Sequence, residues 1–209
     1  MRGEGLPAQF TPAILRRLYG EASESGALNS YRRRRWSRAA EFSGWLEQDT
    51  LAVLSPEQAL RLYRASGGRE SAAFSANPIE DVRDSLDFLL YDTIKLEGRF
   101  DECVAAGGAY KLAGAGKEFI SWLLCLRSPV LFCVWNSNAE RMLRRVGLFP
   151  SAMKRGPDGI RYLDLLEALG RLGAQTALPD FIAVDEMAWL STRPNPGKSE
   201  PVQAENQEQ

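Results

Sequence analysis

Between Lys117 and Arg127 stand Phe119, Ile120, Trp122, Leu123, Leu124, Cys125 and Leu126, so a helix there is apolar on almost every side. Such a helix has no face to show to water and belongs at the centre of a core, wrapped by other elements. The wrapping is predicted to be helical as well. Thr11-Pro12 and Ser55-Pro56 each place a capping hydroxyl before a proline at the first helical position, and Asn77-Pro78 repeats the device with Glu80 set as in a capping box. Asn136-Ser137-Asn138 suits the start of another helix, with Met142, Leu143 and Val146 inward and Arg141, Arg144 and Arg145 outward. Further helices are expected over 100–110, ending near Gly107-Gly108, and over 162–172 and 179–190, while Ser71 to Ala76 reads as loop. Val130 to Trp135 fits either a short strand or an extended buried connection, and no segment shows the period-2 alternation of a strand series. The fold class expected is all-α. Residues 1–75 are expected to form an N-terminal helical region, 76–190 a helical domain, and 191–209 a disordered tail poor in large apolar residues.

Histidine is absent, which removes Ser-His-Asp and Cys-His catalysis and every zinc site that uses imidazole. Cys103, Cys125 and Cys133 show no CxxC spacing, and two lie in apolar runs; buried, reduced thiols are expected, with no metal and no cofactor. No run approaches the ~20 apolar residues of a bilayer span, and the first residues lead into no apolar signal core. No membrane partner and a cytoplasmic location are the expectation.

Net charge is −1, so an anionic partner must be met by local patches. Residues 1–75 hold 11 Lys/Arg against 8 Asp/Glu and residues 137–161 hold 6 against 2, whereas 76–130 hold 6 against 9. The densest patch is Arg32-Arg33-Arg34-Arg35-Trp36-Ser37-Arg38, opening a segment that continues Ala39, Ala40, Phe42, Trp45, Leu46 at helical spacing. Consecutive arginines point all round a helix, and Arg32, Arg33, Arg35 and Arg38 are candidate phosphate contacts with Trp36 anchoring the apolar side. A solvated helix start or a face docking an acidic protein would look the same. Asp185-Glu186 and Asp81/Asp84 read as solvated helix-surface carboxylates, and no residue is assigned a catalytic role.

Leu112-Ala113-Gly114-Ala115-Gly116 places a Gly-small-Gly turn before the apolar helix. Its glycines permit either a backbone-amide anion site flanked by Lys111 and Lys117, or close packing in a tight αα-hairpin. The order of helix, Leu-x-Gly-x-Gly, apolar helix, proline, apolar run ending in Asn, and capped helix resembles the helix-hairpin-helix DNA glycosylase superfamily over roughly residues 76–190, above all its 8-oxoguanine glycosylase branch. That resemblance implies a DNA phosphate held by the amides around Gly114 and Gly116. It also exposes departures: the family's Schiff-base lysine falls on Glu118, with Lys117 one residue early, and its essential aspartate falls on Asn136 or Trp135. The function expected is therefore a DNA-binding protein, duplex favoured, on a glycosylase-like fold without lyase chemistry. An active monofunctional glycosylase, a hydrolase with Trp135 stacking on a flipped base and Asn136 reading its edge, is an alternative. A helical module docking an acidic protein through its arginine run is another.

Overall fold

A computed structural model describes residues 10–193; the expectations for residues 1–9 and for most of the tail, 194–209, lie outside them. All regular secondary structure among the described residues is helical. In chain order the helices are α1 (Pro12–Glu24), α2 (Asn29–Arg35), α3 (Ala39–Trp45), α4 (Gln48–Leu51), α5 (Pro56–Ala65), α6 (Ser71–Ser75), α7 (Ile79–Tyr91), α8 (Leu96–Val104), α9 (Lys117–Arg127), α10 (Ser137–Arg145), α11 (Asp158–Thr176) and α12 (Phe181–Ser191), with a 3-10 turn over Ser151–Lys154.

The expected caps form at α1, α5 and α10. Thr11 Oγ1 accepts from the Ile14 amide at 3.3 Å, Ser55 and Gln58 make a reciprocal capping box, and the Asn136 side chain accepts from Ala139 at 2.9 Å. Asn77 departs from the pattern. Its amide group brackets the backbone of Ala113 at 2.9 and 3.1 Å and also reaches Phe74 O, so a tertiary bond replaces the local cap and Pro78 opens α7 instead. Ser71–Ser75 is helix rather than loop because Phe74 is drawn under Tyr63, its ring stacked at 4.3 Å, and against Phe119. The arginine run and the apolar residues after it form two helices, α2 and α3, broken at Trp36–Arg38, where one continuous helical segment was expected.

Helix α9 lies at the centre, every residue from Phe119 to Leu126 buried. Burial of Phe119, Ile120, Leu123, Leu124 and Leu126 contributes ~1.5–3 kcal/mol each in gross transfer free energy, which makes this helix the largest single stake in the core. Around it α8 packs on α11, α10 on α12, α1 on α11 and α12, and α3 on α9 itself. The α8–α11 packing is backbone-close at Gly159, where an added Cβ would lie 1.9 Å from the Glu97 carbonyl oxygen. One cluster of buried side chains runs from Leu15 to Ala188 and draws on residues on both sides of position 75. Cys133, Val134 and Trp135 form a buried extended connection into α10. All three thiols are free and buried, and burial pushes Cys103 up to about 11. No helix among the described residues is long and apolar enough to cross a membrane.

Candidate functional site

The arginine run divides by helical phase. Arg32 and Arg35, three positions apart and so on one face of α2, turn inward to meet α12, while Arg33 and Arg34 are exposed. Arg32 forks onto Glu186, Nε to Oε1 and Nη2 to Oε2 both at 2.8 Å, and Tyr19 donates to the same carboxylate. Arg35 is 6 % exposed; its Nε lies 3.1 Å from Asp185 Oδ2, Nη1 donates to Ser66 O at 2.6 Å and Nη2 to Glu118 Oε1 at 3.0 Å. Asp185 also accepts from Tyr31 Oη (2.7 Å), Trp36 Nε1 (3.1 Å) and Asn136 Nδ2 (2.9 Å). Both of its oxygens are thereby occupied. Burial and the Glu186 carboxylate push the Tyr19 hydroxyl up to about 12, and burial raises Tyr31 further still.

This overturns the reading of Asp185 and Glu186 as solvated surface groups: they are buried at 3 % and 4 % exposure on a helix that is apolar elsewhere. Buried carboxylates require cations with good geometry, and α2 supplies them. Asp81 and Asp84 are on the surface, as expected.

Above this network opens a cleft of about 470 Å³. Arg34 from α2, Arg64 and Arg69 from the end of α5 and the loop after it, Arg141 from α10 and Arg193 after α12 line it, with Arg35 and Glu118 also contributing. Six guanidinium groups thus face a single carboxylate. Arg34, Arg64 and Arg69 have no carboxylate within ion-pairing distance among the described residues. Glu118 is claimed by Arg35, and burial holds its carboxyl above the usual range. Asn136, Ser137 and Asn138 bring in the start of α10. Across Arg34 and Arg64 the cleft adjoins a shallower trough of about 300 Å³, lined also by Arg33, Arg38 and Arg61.

The hairpin lies apart from this face. Gly114 takes φ +73°, and a Cβ there would sit 3.0 Å from both Glu70 O and Phe74 N; its carbonyl accepts from Tyr63 Oη at 2.9 Å. Its backbone is spent on internal packing. Gly116 is extended and exposed with open space around it, so the requirement for glycine rests on Gly114 and not on Gly116. The Lys111 ammonium donates to Ala115 O within the turn. Lys117 pairs with Glu140 at 3.1 Å and stands 4.1 Å over the Trp135 ring. Neither lysine lines the cleft or the trough. Helix α8 ends at Val104, short of the expected 107–108, leaving a longer connection than a tight hairpin.

Of the two pocket candidates, Asn136 lines the cleft and Trp135 does not. Trp135 is fully buried against Phe100 and Tyr162, so it has no face for a base. Arg33 and Arg38 border the trough, Arg38 in a bidentate pair with Glu41. Sequence reading missed Arg64, Arg69, Arg141 and Arg193, which are scattered singly along the chain and converge only through packing. The comparisons leave the site to its own geometry: no family model, curated protein or solved structure matches the chain.

Proposed function

We propose that the protein binds DNA through its phosphate backbone, across the face formed by the trough and the cleft. One observation carries the reading: a continuous concave surface where guanidinium groups outnumber carboxylates six to one in the cleft and where Arg34, Arg64 and Arg69 have no carboxylate within ion-pairing distance among the described residues. Unpaired guanidinium groups crowded together repel one another, and phosphate oxygens match their planar forks bidentately. A further point supports DNA over other polyanions. Glu118 and Asn136, the positions that the glycosylase resemblance pairs with the family's lysine and aspartate, both line this cleft.

Lyase chemistry is no part of the proposal. Glu118 holds the place of the amine, Lys117 is engaged by Glu140 and Trp135, and Lys111 closes its own turn. Base excision without a lyase step would need a free carboxylate. Asp185 is saturated, and the cleft's one carboxylate, Glu118, is held by Arg35.

The test replaces Arg34, Arg64 and Arg69 with Gln and measures duplex binding against salt. Each arginine withdrawn from a phosphate lowers the slope of log affinity on log salt by about 0.9, so the slope should fall by up to about 2.7. An unchanged slope in a folded variant would remove the proposal. Displacement of DNA by polyglutamate at equal charge concentration would give the face to an acidic protein.

A further inference from the structure

Resting on that reading, we propose that the cleft receives the phosphorylated end of a DNA strand, with the trough carrying the chain that leads up to it.

The two concavities differ in shape and in charge. The trough is bordered by α2, α3 and α5 and lies open along the surface. The cleft is more enclosed, with α2, the segment after α5, the start of α9, the start of α10 and the end of α12 around it. Its volume of about 470 Å³ falls within the range of about 300–1,000 Å³ typical of sites that engulf one small ligand. A passing backbone presents one charge per phosphodiester. A terminal phosphomonoester presents about −1.5 to −2 and three acceptor oxygens, and a cleft more enclosed than the trough, with five guanidinium groups on its wall besides the network-bound Arg35, suits the second better than the first.

The donors suit a monoester too. Arg141 stands one turn into α10, held by Ser137 O and by Asn138 Oδ1 at 3.2 Å. The amides of Ala139 and Glu140 are taken by Asn136, whereas those of Ser137 and Asn138 have no partner among the described residues. They lie at the positive end of the α10 dipole on the wall of the cleft that Arg69 also lines, beside Arg141. Arg34 and Arg64 belong to both concavities, so a chain lying along the trough ends where these donors converge.

The experiment compares binding of one short duplex in five forms: 5′-phosphate ends, 3′-phosphate ends, hydroxyl ends, a covalently closed circle, and a closed circle carrying an internal abasic site. One phosphorylated linear form should bind about tenfold tighter than the hydroxyl-ended duplex, and the closed circle no tighter than the latter, tenfold being ~1.4 kcal/mol. Arg69→Gln with Arg141→Gln should abolish that tenfold, bringing the phosphorylated and hydroxyl-ended duplexes to one common, weaker affinity. Arg33→Gln with Arg61→Gln should weaken all forms alike and keep the preference. Equal binding of all forms overturns the end reading and leaves backbone binding standing. Preference for the abasic circle overturns it in favour of an internal nucleotide. Competition by free deoxynucleoside monophosphate at the concentration of DNA ends overturns it in favour of a nucleotide ligand, and binding of none removes both readings.

Discussion

Arg32 and Arg35 differ from Arg33 and Arg34 in nothing but helical phase, yet the two pairs live in opposite electrostatic worlds. The inward pair is matched by Glu186 and Asp185, with Arg35 almost wholly closed off from water; the outward pair is exposed, with no carboxylate within ion-pairing distance among the described residues. A buried guanidinium must be neutralised where it sits, because desolvating an unpaired ion costs several kcal/mol. An exposed one keeps its hydration and can exchange it for phosphate. Four consecutive arginines therefore serve two purposes: one pair fixes α2 on α12, and that fixture holds the other pair in place.

The asymmetry is disturbed most severely from the closed side. Asp185→Ala leaves buried Arg35 with only the half-exposed Glu118 carboxylate and strips Tyr31, Trp36 and Asn136 of their acceptor, and urea unfolding should show a loss of about 3–5 kcal/mol. The salt slope of DNA binding by the molecules that remain folded should not change. A loss under about 1 kcal/mol would mean that the network is less dry than its geometry.

Tyr31→Phe keeps the ring stacked on Trp189 at 4.7 Å and removes only the hydroxyl that donates to Asp185 at 2.7 Å. Three other donors remain on that carboxylate, so the cost should be about 1.5–3 kcal/mol, the range for a hydrogen bond to a charged group. Duplex affinity should stay within about twofold.

The smallest effect tests the boundary between the two halves. Glu118 touches the closed network through Arg35 and the open cleft through its own exposure. Burial already raises its carboxyl, and a bound phosphate would raise it more, so binding takes up a proton. Affinity should fall as pH rises from the already raised value of Glu118 in the free protein through its still higher value in the complex. Folding stability carries the same sign: the folded state holds this proton more tightly than the unfolded chain, so the stability present at low pH is lost as pH rises through the folded value. Glu118→Gln should flatten both dependences and tighten binding a few-fold; an unchanged pH profile would separate Glu118 from the anion site.

How much of this the sequence reveals follows the distance over which each feature is determined. Thr11, Ser55 and Asn136 cap as read, because a cap is settled within four residues. Helix α9 lies where its all-round apolarity demands. Asn77 and the short helix at Ser71–Ser75 escape because Ala113, Tyr63 and Phe119, remote in sequence, decide them. The phase of the arginine run escapes for the same reason, Arg32 meeting Glu186 154 residues away and Arg35 meeting Glu118 83 residues away. A usable signal exists in α12: two adjacent carboxylates within Ile182, Val184, Met187, Trp189 and Leu190 are out of place on a surface helix, and their natural counterweight is the densest arginine run in the chain. The cleft itself is beyond sequence reading, since five separate segments contribute to it.

The link between α2 and α12 also sets a timetable. Trp36 and Asp185 are 149 residues apart, and at the ribosome's pace of about 5–20 residues per second that interval lasts roughly 7–30 s. Throughout it the nascent chain displays its arginine run without the acids that later bury half of it. Closing so wide a loop is also among the slower events available to a refolding chain. A chain halted before Phe181 would carry most of the basic side chains and lack the helix that fixes α2, and the surface proposed for DNA comes into being with the last helix.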